Sequence, residues 1–412
     1  MPPAEVGSVL KPSSADQVLE LVAWAAAEEA RLEVIGGGSK RGLGRPLQAT
    51  HELDLSALSG ITLYEPEELV LAAGAGTPLA TIEAALAEHR QQLAFEPADY
   101  GPLYGGEPDR QTLGGVIACN LSGPRRLKAG AARDHFLGLK AVSGRGEAFK
   151  AGGRVMKNVT GYDLCKLICG SYGTLAVMTE VTVKVLPAAE TTHTVLVFGL
   201  DDEAAIRAMA QALLGPHEVS GAAHLPAEPA ARSSVPYVRD AAASVTALRV
   251  EGPRPSVTHR AAALKALMAE MGEVEELHSK NSALMWRELR DLAPFAATPE
   301  RLVWRLSVPP ASGAKVVAAI RRQLEATAFY DWSGGLIWLA LPPSDDAGHR
   351  IVRGAVAETG GHATLLRAPA AVRAAVPVFQ PQDGPLAALS ARVKAGFDPR
   401  GVLNPGRMYP ET

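Results

Sequence analysis

The 412-residue sequence predicts an α+β fold of two domains. Three observations predict it. The chain is longer than one ordinary core supports. Glycine-rich turns punctuate it as far as Pro187, where the texture changes to short strands alternating with alanine-rich helices. That later stretch runs twice through the order strand, helix, strand, strand, helix, strand, the pattern of an antiparallel sheet backed by helices. The expected parts are a first domain over 1–188, an α+β cap over 189–395 and a C-terminal segment over 396–412.

Each element has a local reason. Ser13 and Ser14 can cap an opening helix in which Val18, Leu21, Val22 and Ala25 recur at helical spacing. A strand over 31–35 then runs into Gly36, and the turn GGGSKRGLGRP holds too many glycines, plus Pro46, to open a helix. A dinucleotide-binding Rossmann motif passes straight from strand into helix, so this turn can hold phosphate only as a nest of backbone N–H groups. The apolar run 69–73 meets Gly74, Gly76 and a helix with Thr77 as N-cap and Pro78 as first residue, Leu79, Ile82 and Leu86 facing inward. Its third Rossmann glycine is missing.

The cap is expected to hold strands from Thr192, over 219–224 and over 245–250, helices over 202–214 and 255–271, and a short strand near Val274. A helix over 281–292 follows. The second pass has strands over 301–308, 328–332, 336–341 and 363–366, with helices over 311–324 and 347–358. Trp304, Trp332 and Trp338 on these strands read as core residues.

Bulk properties exclude several classes. The chain is 47% hydrophobic and 21% charged with a net charge of -3, so it lacks the basic surplus that nucleic acid requires. It opens with no signal-peptide pattern, and no apolar run reaches the roughly 18 residues of a membrane span. A cytoplasmic protein is expected, peripheral at a membrane only through partners. Cys119, Cys165 and Cys169 form no CxxC and read as small buried residues in a reducing compartment, far short of an iron-sulfur ligand set. The histidines show neither HxH nor HExxH spacing and no GxSxG elbow occurs, so no metal site and no hydrolase is expected. Residues 121–157 carry nine basic side chains against two acidic ones, and Arg133 and Lys157, which flank glycine turns, are the candidates for attracting an acidic ligand or surface.

Four segments, GGGSK (36–40), AGAGTPL (73–79), TLGG (112–115) and GGRVMKNVTGYDLCKLICGSYGTLAVMTEVTVKVLP (152–187), together resemble the FAD-binding domain of the vanillyl-alcohol oxidase or PCMH type. Nearly the whole chain, densest from NLSGPRRLKAGAARDHFLGLKAV onward and including DWSGGLIWL and FDPRGVLNPGRMYP, resembles the FAD-binding subunits of bacterial glycolate oxidase. The resemblance implies a PCMH-type two-subdomain FAD-binding domain followed by the cap, with the C-terminal NPGRM segment returning near the flavin. It implies non-covalent FAD, with Gly36, Gly37, Gly38 and Ser39 at the diphosphate, Thr112, Leu113, Gly114 and Gly115 beside the flavin ring, and Gly170, Ser171, Gly173, Thr174 and Val177 lining the cleft with Asn404. Glycine suits such places because it leaves no Cβ in the way.

Two departures bear on activity. Related 2-hydroxyacid dehydrogenases carry an HGxxGDGNxH segment that helps bind a divalent metal and the substrate carboxylate, and this chain has none. They commonly read GSEG where this chain has Gly170, Ser171, Tyr172 and Gly173. The resemblance therefore implies glycolate oxidation to glyoxylate in a heteromeric complex, this subunit accessory or electron-carrying beside a catalytic FAD subunit and an iron-sulfur subunit. A self-sufficient FAD oxidase of another hydroxyl compound and a structural subunit that has lost FAD stay open. No catalytic base can be named from the sequence.

Overall fold

The computed structural model describes residues 7–154 and 161–410; Lys157 lies outside them. β1 (Ser8–Leu10), β2 (Leu32–Ile35) and β3 (His51–Asp54) form a parallel sheet in the order β1-β3-β2. The opening helix, Ala15–Glu28, uses the expected cap, Ser14 Oγ accepting the Gln17 amide at 3.2 Å. Its stripe of Val18, Val22 and Ala25 shares a core with Leu32 and Leu53 of that sheet and with Val142 and Val177 of the next.

β4 (Ile61–Glu65) and β5 (Val70–Gly74) belong to this second, antiparallel sheet, whereas β6 (Gln91–Gln92) stands apart from it. The sheet is completed by β7 (Phe136–Ser143), β8 (Glu147–Gly152) and β9 (Ala176–Lys184) in the order β4-β5-β9-β7-β8, while β6 pairs with β10 (Leu186–Pro187). Helix Leu79–Glu88 buries Leu79, Ile82 and Leu86 as expected. Thr77, however, is not its cap: the helix starts after Pro78, and the Thr77 hydroxyl donates to Gly74 O at 2.6 Å, closing the strand-to-helix turn on itself.

The cap strands are β11 (Thr191–Phe198), β12 (Gly221–Leu225), β13 (Val245–Gly252), β14 (Val274–His278), β15 (Leu302–Ser307), β16 (Thr327–Asp331), β17 (Leu336–Leu341) and β18 (His362–Arg367). They form one antiparallel eight-stranded sheet, ordered β14-β11-β13-β12-β16-β17-β15-β18. Each pass has its third strand between its first and second and its fourth outside the first. The two passes meet second strand to second strand, through His224 and Tyr330. The duplication expected from the element order is thus a real symmetry of the sheet.

Period-two alternation gives this sheet two buried faces. Val195, Val197, Leu248, Trp304, Leu306, Ile337 and Leu339 face the cap's own helices. Leu196, Ala247, Val303, Phe329, Trp338 and Leu366 face the other way and share one continuous core with Leu103, Leu113 and Phe136 of the first domain. Trp304, Trp332 and Trp338 are buried, although Trp332 lies in the turn after β16 and not on the strand, where its indole donates to Gly123 O at 3.1 Å.

The chain ends against the first domain. In the last helix, Gly384–Phe397, Lys394 Nζ meets Asp398 at 2.6 Å and donates to Thr174 O at 2.7 Å. Asp398 in turn accepts the amides of Val402 and Leu403 at 3.0 and 2.8 Å, and Asn404 N reaches Leu32 O at 3.0 Å. A buried cation and carboxylate with their remaining valences filled in this way hold the tail along β2.

Candidate cofactor cleft

Strand β2 delivers the chain to the GGGSK turn, and Gly37 shows why that turn is glycine. A Cβ there would lie 1.7 Å from the carbonyl oxygen of Arg110. The backbone N–H groups of Gly37, Gly38, Ser39 and Lys40 donate to no described residue, so four donors stand free on one turn. The TLGG segment is pinned opposite: Leu113 N donates to Thr77 O at 3.0 Å, Gly114 N to Ala75 O at 2.9 Å, and Thr112 Oγ1 caps the helix Leu113–Cys119.

The third wall is the Gly170–Thr174 turn, and Asn404 ties it to the first. Its Oδ1 accepts the Val34 amide at 2.8 Å and its Nδ2 donates to Tyr172 O at 2.8 Å. Gly173, at φ +71, lets the chain pass that amide, since a Cβ would sit 2.7 Å from Nδ2. A neutral side chain with both ends bonded to backbone is a spacer, and it sets the width of the opening.

Between these walls lies a cleft of about 770 Å³. Gly36, Gly37, Gly38, Ser39, Thr112, Gly114, Gly115, Gly173 and Asn404 line it. The other nominated residues do not. Leu113 is in the core, Val177 faces the opening helix, Ser171 and Thr174 are buried with Thr174 Oγ1 bonded to Ser171 O at 2.7 Å, and Gly170 borders a neighbouring cavity. Tyr172, noted in the sequence only as a departure from GSEG, also lines the cleft, as do Cys119 and Met178, which carry no motif signal.

Cations gather at the turn, and Glu33 pairs with two of them, Arg41 at 2.6 Å and Arg407 at 3.9 Å. Lys40 is buried, bonds Ser39 Oγ at 3.1 Å and meets no carboxylate within ion-pair reach among the described residues. Burial holds its pKa below the ordinary lysine value, against the fields of Cys119 and Asp99. Arg407, buried beside it, donates to Lys40 O at 3.4 Å. Burial pushes the Cys119 thiol up, while the thiols of Cys169 and Cys165 donate to Ile117 O at 3.3 Å and Ala151 O at 3.7 Å, so all three cysteines are protonated, separate groups. Unpaired N–H groups and two cations at one end and Leu43, Ala75, Ala118, Met178 and Tyr172 along the floor suit a ligand with a diphosphate and a flat apolar ring system.

The comparisons agree with that chemistry. Residues 7–152 match the FAD binding domain family model. Over 395 residues the chain is 36% identical to glycolate oxidase subunit GlcE of Escherichia coli K12, covering 96% of this chain and 97% of the relative. The chain belongs to the family of FAD-binding glycolate oxidase subunits. Members of this family are FAD-dependent oxidoreductases, and FAD is the cofactor whose diphosphate and flavin the cleft fits. Glycolate oxidase subunit GlcD of Bacillus subtilis is 28% identical over 325 residues, 72% of this chain and 68% of that one. The fold is shared with 4-ethylphenol oxidase from Gulosibacter chungangensis at a TM-score of 0.75 and 15% identity, covering 100% of this chain and 91% of that one. The α+β PCMH-type architecture is therefore that of the family.

The described residues hold no helix long and apolar enough to cross a membrane. On the cap's outer strands, His193, Glu276 and His278 bring potential metal ligands within 4.8 Å of one another, a grouping that pairing of β11 with β14 makes and sequence spacing hides. Arg133 is exposed and borders neither the cleft nor the cavity beside it.

Proposed function

We propose that this chain is the FAD-binding subunit of a heteromeric glycolate oxidase, oxidising glycolate to glyoxylate beside a catalytic FAD subunit and an iron-sulfur subunit. The near-full-length similarity to GlcE on both chains carries the reading. FAD, when bound, would supply a two-electron acceptor for the oxidation of a hydroxy acid. The chain's own residues do the rest. Gly36, Gly37, Gly38 and Ser39 meet the diphosphate with backbone donors, and Lys40 and Arg407 offset its charge. Thr112, Gly114 and Gly115 bring backbone close to the ring, and Leu43, Ala75 and Met178 keep water from it.

The hydroxyl proton needs an acceptor poised near neutral pH. The described lining of the cleft offers no carboxylate or imidazole, and burial raises both Cys119 and Tyr172 above their ordinary values. This supports an electron-carrying role next to a sister subunit that supplies the base.

The test is the visible flavin spectrum of the chain purified alone, incubated with FAD and given glycolate without oxygen. Bound flavin that bleaches only after the partner subunits are restored is the expected result. Turnover of glycolate by this chain alone at the rate of the complex would overturn the accessory role, and a chain that takes up no flavin would overturn the reading entirely.

A further inference from the structure

β14 is the outermost strand of the cap sheet and pairs with β11. The register sets His193 of β11 directly opposite His278 of β14, and Val195 opposite Glu276. Period-two alternation puts His193 on the same face as Val195 and Val197, which pack against the cap's own helices. The valine stripe of β11 thus ends in an imidazole, and β14 answers it with a carboxylate and a second imidazole. None of these three side chains lines the cofactor cleft or the cavity beside it.

His193 is the hinge of the group. Its Nδ1 meets Glu276 Oε1 at 2.7 Å, and because an ionised carboxylate only accepts, Nδ1 is the donor and Nε2 of the neutral ring keeps its lone pair. Nε2 stands 3.4 Å from His278 Nδ1, the two rings edge to face with centroids 4.5 Å apart. That separation is long for a hydrogen bond. It is close to the roughly 3.3 Å between two nitrogens of a tetrahedral zinc ion bound at about 2.0–2.1 Å. Glu276 Oε1 lies 3.9 Å from His278 Nδ1, and its Oε2 lies 3.6 Å from Lys265 Nζ of the helix Arg254–Met268. The side chains of His193 and Glu276 are 13% and 17% exposed, that of His278 64%. Two members are thus fixed by packing and the third stands at an open rim, where an ion has a path in. A carboxylate on the far nitrogen of the ring is the support that metal-bound histidines use.

We infer that His193 Nε2 and His278 Nδ1 form a zinc site at the edge of the cap sheet, with Glu276 orienting the His193 ring and water filling the open positions. Imidazole nitrogen suits zinc, whereas magnesium and calcium prefer oxygen. Zinc here bridges β11 and β14, and so pins the strand that leads directly into the helix Ser279–Arg290. That helix is tied to β11 on the opposite face, where Thr194 Oγ1 meets Ser282 Oγ at 2.6 Å and accepts from the Trp286 indole at 2.8 Å. The ion therefore fastens the second side of a junction already fastened on the first. Separations of 83 and 85 residues along the chain hide the group from the HxH and HExxH spacings on which the expectation of no metal site rested.

Calorimetric titration of the tag-free, flavin-loaded chain with zinc chloride and, separately, magnesium chloride tests this, with deuterium uptake of β14 followed in parallel. Zinc should bind one ion per chain, at least tenfold more tightly than magnesium, and slow the exchange of the β14 amides. His193→Asn and His278→Asn should each weaken zinc tenfold or more, and Glu276→Gln about tenfold, because it leaves an acceptor for His193 but removes the charge. His259→Asn, on an exposed side chain of the neighbouring helix, should leave it unchanged. The exposed His278 side chain makes its variant the one least able to disturb folding. Absence of zinc uptake, magnesium binding as tight as zinc, or zinc binding unchanged in His278→Asn would overturn the proposal. Zinc that binds without slowing exchange in β14 would overturn the bridge between the strands.

Discussion

Asp331 shows how far burial moves a single residue. It is 2% exposed at the end of β16, with one carboxylate oxygen accepting the Trp332 amide at 2.7 Å. Burial outweighs that bond and the distant Arg249 field and raises its pKa from 3.8 to about 7. A folded pKa above the unfolded one means that the folded protein holds the proton more tightly. The resulting stability is full below about pH 4 and is lost as pH rises through about 7. Asp331→Asn should therefore raise the unfolding free energy by about 1 to 3 kcal/mol at pH 8 and change it little at pH 4. Urea unfolding at the two pH values measures it; equal effects at both would show that the carboxyl is not held neutral. The sequence marked only a strand here, because nothing within a few residues of Asp331 reports how deeply β16 is buried. Arg126, which lines the cavity beside the cofactor cleft together with Arg305, was likewise hidden among eight basic neighbours, and Arg133, singled out for its glycine flanks, points to solvent.

The GGGSK turn is the element whose local sequence said most. The glycines, Pro46 and the missing helix pattern already required a loop with free backbone donors, and the structure has one. What the sequence could not display is the neighbour that makes Gly37 obligatory, the Arg110 carbonyl 1.7 Å from the position of its absent Cβ. Gly37→Ala must push the turn away from residues 110–112. Overpacking of this kind costs about 1 to 3 kcal/mol, and because the strain falls on the turn that presents the donors, FAD should bind roughly tenfold to a hundredfold more weakly. The flavin-to-protein ratio after gel filtration, with far-ultraviolet circular dichroism as the control for folding, checks this. Full retention of flavin would mean that the turn does not hold the cofactor.

At the scale of the molecule, the first domain and the cap are joined by ions as well as by a shared apolar core. Glu96 accepts two bonds from Arg249 of β13, each at 2.9 Å, and Arg125 bonds Glu251 at 3.0 and 2.9 Å. Burial alone would raise the Glu251 carboxyl, but Arg249 and Arg125 prevail and hold it at about 2, below its ordinary 4.5. Because that pKa is depressed, the stability it represents is present above about pH 4.5 and is lost as pH falls toward 2. Arg249→Met leaves Glu96 and Glu251 short of a partner and should cost about 3 to 5 kcal/mol at pH 7. The gap between parent and variant should narrow between pH 5 and pH 3, as the orphaned carboxylates take up protons. Thermal unfolding across that range measures it, and a gap that does not depend on pH would place the loss in packing against Trp286, whose ring lies 4.6 Å from the Arg249 guanidinium.

Periodicity and turn chemistry act over a few residues, and the sequence by itself determined what depends on them: the capped opening helix, the inward Leu79, Ile82 and Leu86, the loop at 36–40 and the duplicated element order of the cap. Only the tertiary structure decided what depends on residues far apart meeting. Asn404 reaches back 370 positions to Val34 to set the cleft width. The cap sheet turns Arg305 toward Arg126 through strand register, and paired β11 and β14 bring His193 to His278. Register and packing are cooperative properties of the whole chain, so no window of the sequence contains them.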